Sequence, residues 1–157
     1  MADISAHSRS DEEENPLERQ RELMELLSQE TRHSIIQALL GHPEVLASAD
    51  ELNHFVPSKS KKTVEEQLEV LVGAEILAVY EYPPNQEKRG LPWKFYGFTE
   101  YGAEILGDFN YLKGVPMARA VHQKTRKPEK IERHETAPRP PLPDAVRATF
   151  RLDEEAE

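Results

Sequence analysis

The stretch SKSKKTVEEQLEVLVGAEIL, residues 58–77, decides the fold of this chain. Its first six residues are polar and include three lysines. An apolar stripe follows at Val64, Leu68, Leu71, Val72 and Ile76. These spacings place the apolar residues on one face of a helix with 3.6 residues per turn. The stretch therefore predicts a helix that buries one face, opens at a Ser60 cap and exposes lysines in its first turn.

The residues before this helix predict two further helices. One covers 28–40, with Ser28 as its cap, and is ended by Gly41 and Pro43. Residues 41–48 are expected to form a loop, and Ser48 with Glu51 has the spacing of a capping box for a short helix reaching about Phe55. The last two helices are separated by a turn of a few residues, as in a helix-turn-helix. Periodicity alone supports a generic three-helix bundle equally well.

The residues after the stretch favour the helix-turn-helix over the generic three-helix bundle. Residues 77–82 and 93–98 alternate and are rich in strand-forming residues, and a turn-rich segment with Lys88 and Arg89 separates them. Two strands around a basic loop, directly after the third helix, predict a hairpin wing. The predicted fold is mainly α with a small β-hairpin: a winged helix-turn-helix with additional N- and C-terminal helices.

The remaining chain divides by composition into four predicted segments. Residues 1–16 form an acidic disordered tail, and 17–112 form the winged helix-turn-helix domain, with a first helix from Leu17 and a Thr99-capped helix after the wing. Residues 113–136 form a basic helical extension with eight bases and three acids between 113 and 139. Residues 137–157, which include APRPPLPDA, are expected to be extended or disordered.

Composition excludes several classes of function. The 157 residues carry a net charge of −9 and no cysteine, so thiolate metal sites and cysteine nucleophiles are excluded. There is no apolar run long enough for a membrane span and no signal-peptide core, which predicts a cytoplasmic protein without a membrane partner. No nucleophile elbow, phosphate loop or HExxH motif occurs, and the six histidines lack metal-ligand spacing. We therefore expect no enzyme activity and no catalytic, cofactor-binding or metal-binding residues.

The basic residues of the third helix and the wing are the candidate DNA contacts. Flexible cations at a helix N-terminus suit phosphates, and hydroxyl or amide side chains one turn further can reach base edges. The candidates are Ser58, Lys59, Ser60, Lys61, Lys62, Thr63, Gln67, Lys88 and Arg89. A solvated helix start and a soluble loop tip are the alternative interpretations. The aromatic residues of the two strands are expected to anchor the core rather than to stack bases.

Four segments of the chain resemble the ArsR-like winged helix-turn-helix regulators in the form common in halophilic archaea. They are LSQETRHSIIQALL (27–40), GHPEVLASADEL (41–52), PSKSKKTVEEQLEVLVGAEIL (57–77) and LPWKFYGFTEYGAEIL (91–106). The resemblance covers roughly 17–112, and 127–140 is also similar to that archaeal group. It implies a DNA-binding transcription regulator, usually a dimer. Metal sensing is not implied, because the founding class senses metals through cysteines.

The sequence thus predicts a transcription regulator that reads double-stranded DNA with a recognition helix and a basic wing. The apolar residues of 17–27 and 103–125 exceed what three short helices can bury, so they either complete the core of the domain or form a dimer interface. We favour the interface and expect a homodimer. Glu65 and Glu66 in the recognition helix repel phosphates but can accept from a cytosine amine. With the acidic net charge, they favour the alternative, a winged-helix module that binds proteins without direct DNA contact.

Overall fold

The computed structural model describes residues 15–151, which form helices and a small sheet. The helices are α1 (Pro16–Ser28), α2 (Glu30–Gly41), α3 (Ala49–His54), α4 (Lys61–Gly73), α5 (Glu100–Asp108), α6 (Val115–Lys124), α7 (Glu129–Thr136) and α8 (Asp144–Thr149). The strands are β1 (Leu46–Ala47), β2 (Leu77–Glu81) and β3 (Lys94–Phe98), and 3₁₀ turns cover Pro83–Glu87 and Tyr111–Gly114. Most of the predicted acidic tail, residues 1–14, lies outside the described residues. Asn15 and Pro16 already belong to the start of α1, because the Asn15 side chain accepts from the backbone N–H of Glu18.

Helices α2, α3 and α4 pack around one apolar core, as their periodicity predicts. Ile35, Leu39, Leu52, Leu68 and Leu71 each expose 1% or less of their surface. The antiparallel hairpin of β2 and β3 follows α4 directly, with Val79 opposite Tyr96. The predicted fold class is therefore confirmed: a mainly helical winged helix-turn-helix with a small antiparallel sheet and additional helices at both ends.

The sheet has a third strand in the segment that was predicted to be a loop. β1 pairs antiparallel with β3, with Leu46 opposite Gly97, and gives the order β1-β3-β2. The loop prediction for 41–48 is wrong at these two residues. A two-residue strand is too short to show an alternating pattern, and it follows Val45, whose φ of 52° marks a turn. The short strand places residues 45–47 in the core.

Polar caps fix the starts of the helices at positions that the sequence indicates. Ser48 and Glu51 form both hydrogen bonds of a capping box, and Ser60 caps α4. Thr99 caps α5, as expected. The predicted Ser28 cap of α2 is wrong, since the side chain of Gln29 accepts from the backbone N–H of Arg32. Ser28 is instead the last residue of α1.

The turn from the hairpin into α5 requires a glycine. A Cβ at Gly102 would lie 2.1 Å from the carbonyl oxygen of Ile76. The Thr99 hydroxyl, which donates to the Glu75 carbonyl at 2.5 Å, holds the same junction on its other side. The backbone of α5 therefore sits directly against the end of α4 and the start of β2.

The carboxy-terminal residues differ from the loose tail that their composition predicts. Residues 152–157 of the predicted tail lie outside the described residues, whereas 137–151 run back over the domain, first extended and then as α8. Leu142, Val146 and Phe150 expose 4% or less and belong to the same apolar core as α2–α4. Proline-rich composition favours an extended backbone but does not prevent burial. We call residues 127–151 the carboxy-terminal wrap.

Candidate nucleic-acid interface

The first turn of α4 presents the predicted cationic surface. Ser60 accepts from the backbone N–H of Thr63 at 3.1 Å, so the turn starts at Lys61. Lys61 and Lys62 are exposed, and Ser58 is exposed in the preceding turn. The free amides of a helix N-terminus attract anions, and lysines at the same end add to the positive potential. This turn can therefore bind phosphate groups.

Of the three candidate lysines of this region, two pair with acidic residues of neighbouring helices. Lys59 lies 3.5 Å from a carboxylate oxygen of Glu30, and Lys61 lies 3.1 Å from Asp50. Within residues 15–151, no ion pair links Lys62 to a carboxylate. Exposed ion pairs are weak and exchange readily, so both paired lysines can turn toward a phosphate. Lys62 needs no such exchange.

Gln67, predicted to read an adenine, is engaged inside the protein. Its carbonyl oxygen accepts from the guanidinium of Arg32 at 2.7 Å, and that guanidinium also donates to the Leu26 carbonyl. This bridge holds α4 against α2 and the end of α1. A contact from this oxygen to a base would have to use its second lone pair or open that hydrogen bond.

The wing carries Lys88 and Arg89 on an exposed loop between the 3₁₀ turn and β3. Asn85, which is 1% exposed, anchors this loop. Its side-chain amide donates to the carbonyls of Pro92 at 2.9 Å and Pro138 at 2.7 Å. The wing is therefore fastened to the carboxy-terminal wrap, a connection that the sequence did not reveal.

Most aromatic residues of the hairpin pack in the core, as expected. Phe95 and Phe98 are completely buried, and Tyr80 and Tyr96 pack against the same core. Trp93 is half-buried at the base of the wing, where the Lys94 ammonium lies 4.9 Å from its ring centre. Trp93 also borders an open cavity beside basic side chains.

The acidic residues of α4 lie beside its lysines on the protein surface. Glu65 and Glu66 are both exposed. Burial raises the pKa of Tyr96, and the nearby carboxylates of Glu65 and Glu69 raise it further. The tyrosine on β3 therefore faces the acidic side of α4. The two lysines of this helix lie in its first turn and its glutamates follow at 65, 66 and 69, so its positive potential is concentrated at the first turn.

Helix α7 of the wrap lies against the start of α3, close to the first turn of α4. The Ser48 hydroxyl is 2.9 Å from Nδ1 of His134, and Nε2 of His134 is 3.9 Å from Asp50. Burial lowers the pKa of His134, which favours the neutral imidazole. The Asp50 carboxylate on the Nε2 side favours the tautomer with its proton on Nε2, in which Nδ1 accepts from Ser48. Serine, histidine and aspartate also form hydrolase triads, but this hydroxyl is buried and caps a helix. The arrangement is a structural link between the wrap and α3.

A second polar cluster is buried beneath this link. Glu51 accepts from Nε2 of His42 at 2.8 Å and from the backbone N–H of Ser48, and the Arg139 guanidinium lies 3.6 Å away. Burial alone would raise the pKa of Glu51. The hydrogen bond from His42 and the charge of Arg139 outweigh burial, so the net pKa is lowered and the carboxylate stays ionised. The cluster fixes the wrap to α2 and α3 at once.

Three side chains near this cluster could in principle hold a metal ion. Ligand atoms of His42, His122 and Glu135 lie within 4.8 Å of one another. Nδ1 of His42 accepts from the backbone N–H of Glu44, so its Nε2 carries the proton donated to Glu51. Lys127 already pairs with Glu135 at 2.7 Å. The Nδ1 lone pair of His42 is therefore already used, and Glu135 already has a cationic partner, so the contacts shown are those of an ion network.

Comparison with known proteins supports the fold. No family model and no curated protein sequence matches the chain. A solved structure of a protein with a GntR-superfamily winged-helix-turn-helix domain from Halomicrobium mukohataei is similar, with a TM-score of 0.74 and 22% identity. The match covers 83% of this chain and 91% of that one. At that identity the likeness shows the shared winged helix-turn-helix fold. Among the helices of residues 15–151, none is long and apolar enough to cross a membrane.

Proposed function

We propose that this protein is a DNA-binding transcription regulator without catalytic activity, in which α4 enters the major groove and the wing contacts the adjacent backbone or minor groove. The observation that carries the proposal is the exposed lysine-rich first turn of α4 in a winged helix-turn-helix fold. The winged-helix neighbour from a haloarchaeon supports it at the level of the fold. The ArsR-like, haloarchaeal and cytoplasmic assignments rest on the sequence alone, since that neighbour is described as GntR superfamily.

The test replaces Lys59, Lys61 and Lys62 by alanine together and measures binding to duplex DNA across a range of salt concentrations. Each lost phosphate contact should reduce the slope of log affinity against log salt by roughly 0.9. The helix itself should remain stable, because lysines at a helix N-terminus oppose its dipole. A suitable first duplex is the region upstream of the chain's own gene.

Lys113→Ala serves as the control, because Lys113 is exposed but lies in the 3₁₀ turn after α5. An unchanged slope and affinity for the triple variant, with unchanged circular dichroism, would contradict the proposal.

The second candidate function is a winged-helix module that binds another protein. The observation in its favour is that Glu65 and Glu66 are exposed beside the lysines, while Lys59 and Lys61 already have acidic partners. Such a module would show no salt-dependent affinity for duplex DNA. The same titration therefore separates the two functions.

We further propose that the regulator is a homodimer. Leu17 and Met24 of α1 remain 76% and 53% exposed, and Met117 and Val121 of α6 remain 74% and 57% exposed. Each pair lies on one face of its helix, because the members are seven or four residues apart. A two-fold axis would present two recognition helices to sites about 34 Å apart. Light scattering should give twice the chain mass, and Met117→Lys with Val121→Lys should reduce it if α6 forms the interface.

A further inference from the structure

An open cavity of about 420 Å³ lies between the start of α3, the base of the wing and α7. Its wall includes Trp93 and Lys94 from the wing, Lys130 and Arg133 from α7, and Asp50 from α3. Three structural elements that are distant in sequence thus converge on one site. Neither composition nor periodicity indicated it.

The charged groups of this cavity are mainly cationic. Lys94, Lys130 and Arg133 face one carboxylate, Asp50, and burial keeps His134 neutral. The Arg133 guanidinium pairs with Glu129 one turn earlier at 2.9 Å, but that glutamate is 86% exposed and the pair is therefore weak. A guanidinium and two ammonium groups around a cavity suit a tetrahedral oxyanion such as a phosphate.

The cavity also connects the two predicted DNA-contacting elements. A Cβ at Gly90 in the wing, where φ is +83°, would lie 2.9 Å from an Arg133 nitrogen, so α7 touches the wing loop. On the other side, Asp50 pairs with Lys61 of the recognition helix at 3.1 Å and with Lys130 of α7 at 3.6 Å. Arg133 and Lys130 therefore bridge the gap between wing and recognition helix.

We infer that this cavity binds a phosphate group, and that its occupant is a backbone phosphate of duplex DNA. Helix α7 is then a third DNA-contacting element, beside α4 and the wing. The choice of occupant rests on the proposed function, because it is the position between α4 and the wing that brings the DNA backbone to the cavity. Phosphate contacts of this kind fix the register of a protein on the duplex.

The experiment uses the full chain and a random-sequence duplex over a range of salt. The variant Lys130→Gln with Arg133→Gln should weaken binding severalfold and reduce the salt slope by roughly 0.9 for the one phosphate lost. Lys113→Gln removes one exposed charge away from the cavity and should change neither quantity. Both replaced side chains are about half exposed or more, so the fold should be retained.

Asp50→Asn provides the opposite change at the same site. It removes the one carboxylate of the cavity wall and releases Lys61 and Lys130 from their ion pairs, so duplex affinity should rise severalfold. Affinity that falls or stays constant in this variant would contradict the inference.

Inorganic pyrophosphate distinguishes a DNA phosphate from a free anion. Suppose that pyrophosphate raises the melting temperature of the natural chain but not of the double variant, while the duplex salt slope is the same in both proteins. The cavity then binds a free phosphate compound, and the DNA occupant is overturned. If the lysine variants of α4 weaken duplex binding, but the α7 variant changes neither duplex binding nor the pyrophosphate effect, the inference fails while the proposed function stands. If neither set affects duplex binding, both fail.

Discussion

The winged helix-turn-helix body and the carboxy-terminal wrap are held together by different forces. In the body, α2, α4 and the hairpin meet through side chains such as Ile35, Leu68 and Phe98, all completely buried. The wrap adds apolar anchors at its end, but its first half is attached through buried polar groups, above all Arg139 and His134. Apolar packing tolerates substitutions of similar volume, whereas a buried charge depends on each of its partners. The body should therefore tolerate conservative substitutions, whereas the attachment of the wrap should be sensitive to the loss of a single polar group.

Arg139 shows this dependence most clearly. Its side chain is 3% exposed, and the guanidinium donates to the carbonyls of Leu46, His134 and Glu135. It also lies 4.6 Å from the centre of the Phe95 ring. One side chain thus joins β1, β3 and α7.

The largest effect should follow from Arg139→Met, which keeps the volume but removes the charge. Glu51 would then be a buried carboxylate without its arginine, and removing one partner of a buried pair costs about 3–5 kcal/mol. Urea unfolding should show this loss. Arg126→Met is the control, because Arg126 is exposed next to the wrap. A loss below about 1 kcal/mol would mean that the wrap does not depend on its buried charge.

The difference between body and wrap also explains what the sequence could reveal. Apolar spacing and caps are local signals, so α4, its Ser60 cap and the hairpin were predictable from a few neighbouring residues. The bonds of the wrap join residues far apart in the chain: Ser48 with His134, and Asn85 with Pro138. Composition suggested a loose tail because proline and charge dominate it. No local pattern reports a tertiary partner for a buried polar side chain.

The same limit applies to the candidate interface. The lysines of α4 were recognisable because a basic first turn is visible in one stretch of sequence. The roles of Gln67 and Lys130 were not, since they depend on Arg32 and Asp50 on other helices. The basic composition of 113–139 indicated an extension, but its placement between α3 and the wing follows only from tertiary packing.

A second test concerns His122, which is buried between the body and the wrap. Burial lowers its pKa from 6.5 to about 4, and the ring stacks on Phe55 at 4.5 Å. Below pH 6.5 the unfolded chain binds a proton here while the folded chain does not until about pH 4, so stability is lost as the pH falls through this window. The loss from this group should be about 2 kcal/mol by pH 4.5.

His122→Phe keeps an aromatic ring at this position and removes the titrating group. Urea unfolding between pH 7 and pH 4.5 should then show a pH dependence smaller by about that 2 kcal/mol. The same pH dependence in both proteins would show that His122 does not make the wrap sensitive to acid.

The smallest expected effect is the difference in stability lost when each of two serine helix caps is replaced by alanine. Ser60 caps α4 within the body, whereas Ser48 caps α3 and also bonds to His134 of the wrap. Ser60→Ala should cost about 1 kcal/mol, the usual value for a lost cap. Ser48→Ala should cost about 2 kcal/mol, because it also leaves a buried imidazole nitrogen without its donor. Urea unfolding of both variants measures the difference directly. Equal losses would mean that the hydroxyl bond to His134 contributes nothing, and that α7 is held to α3 by its other contacts alone.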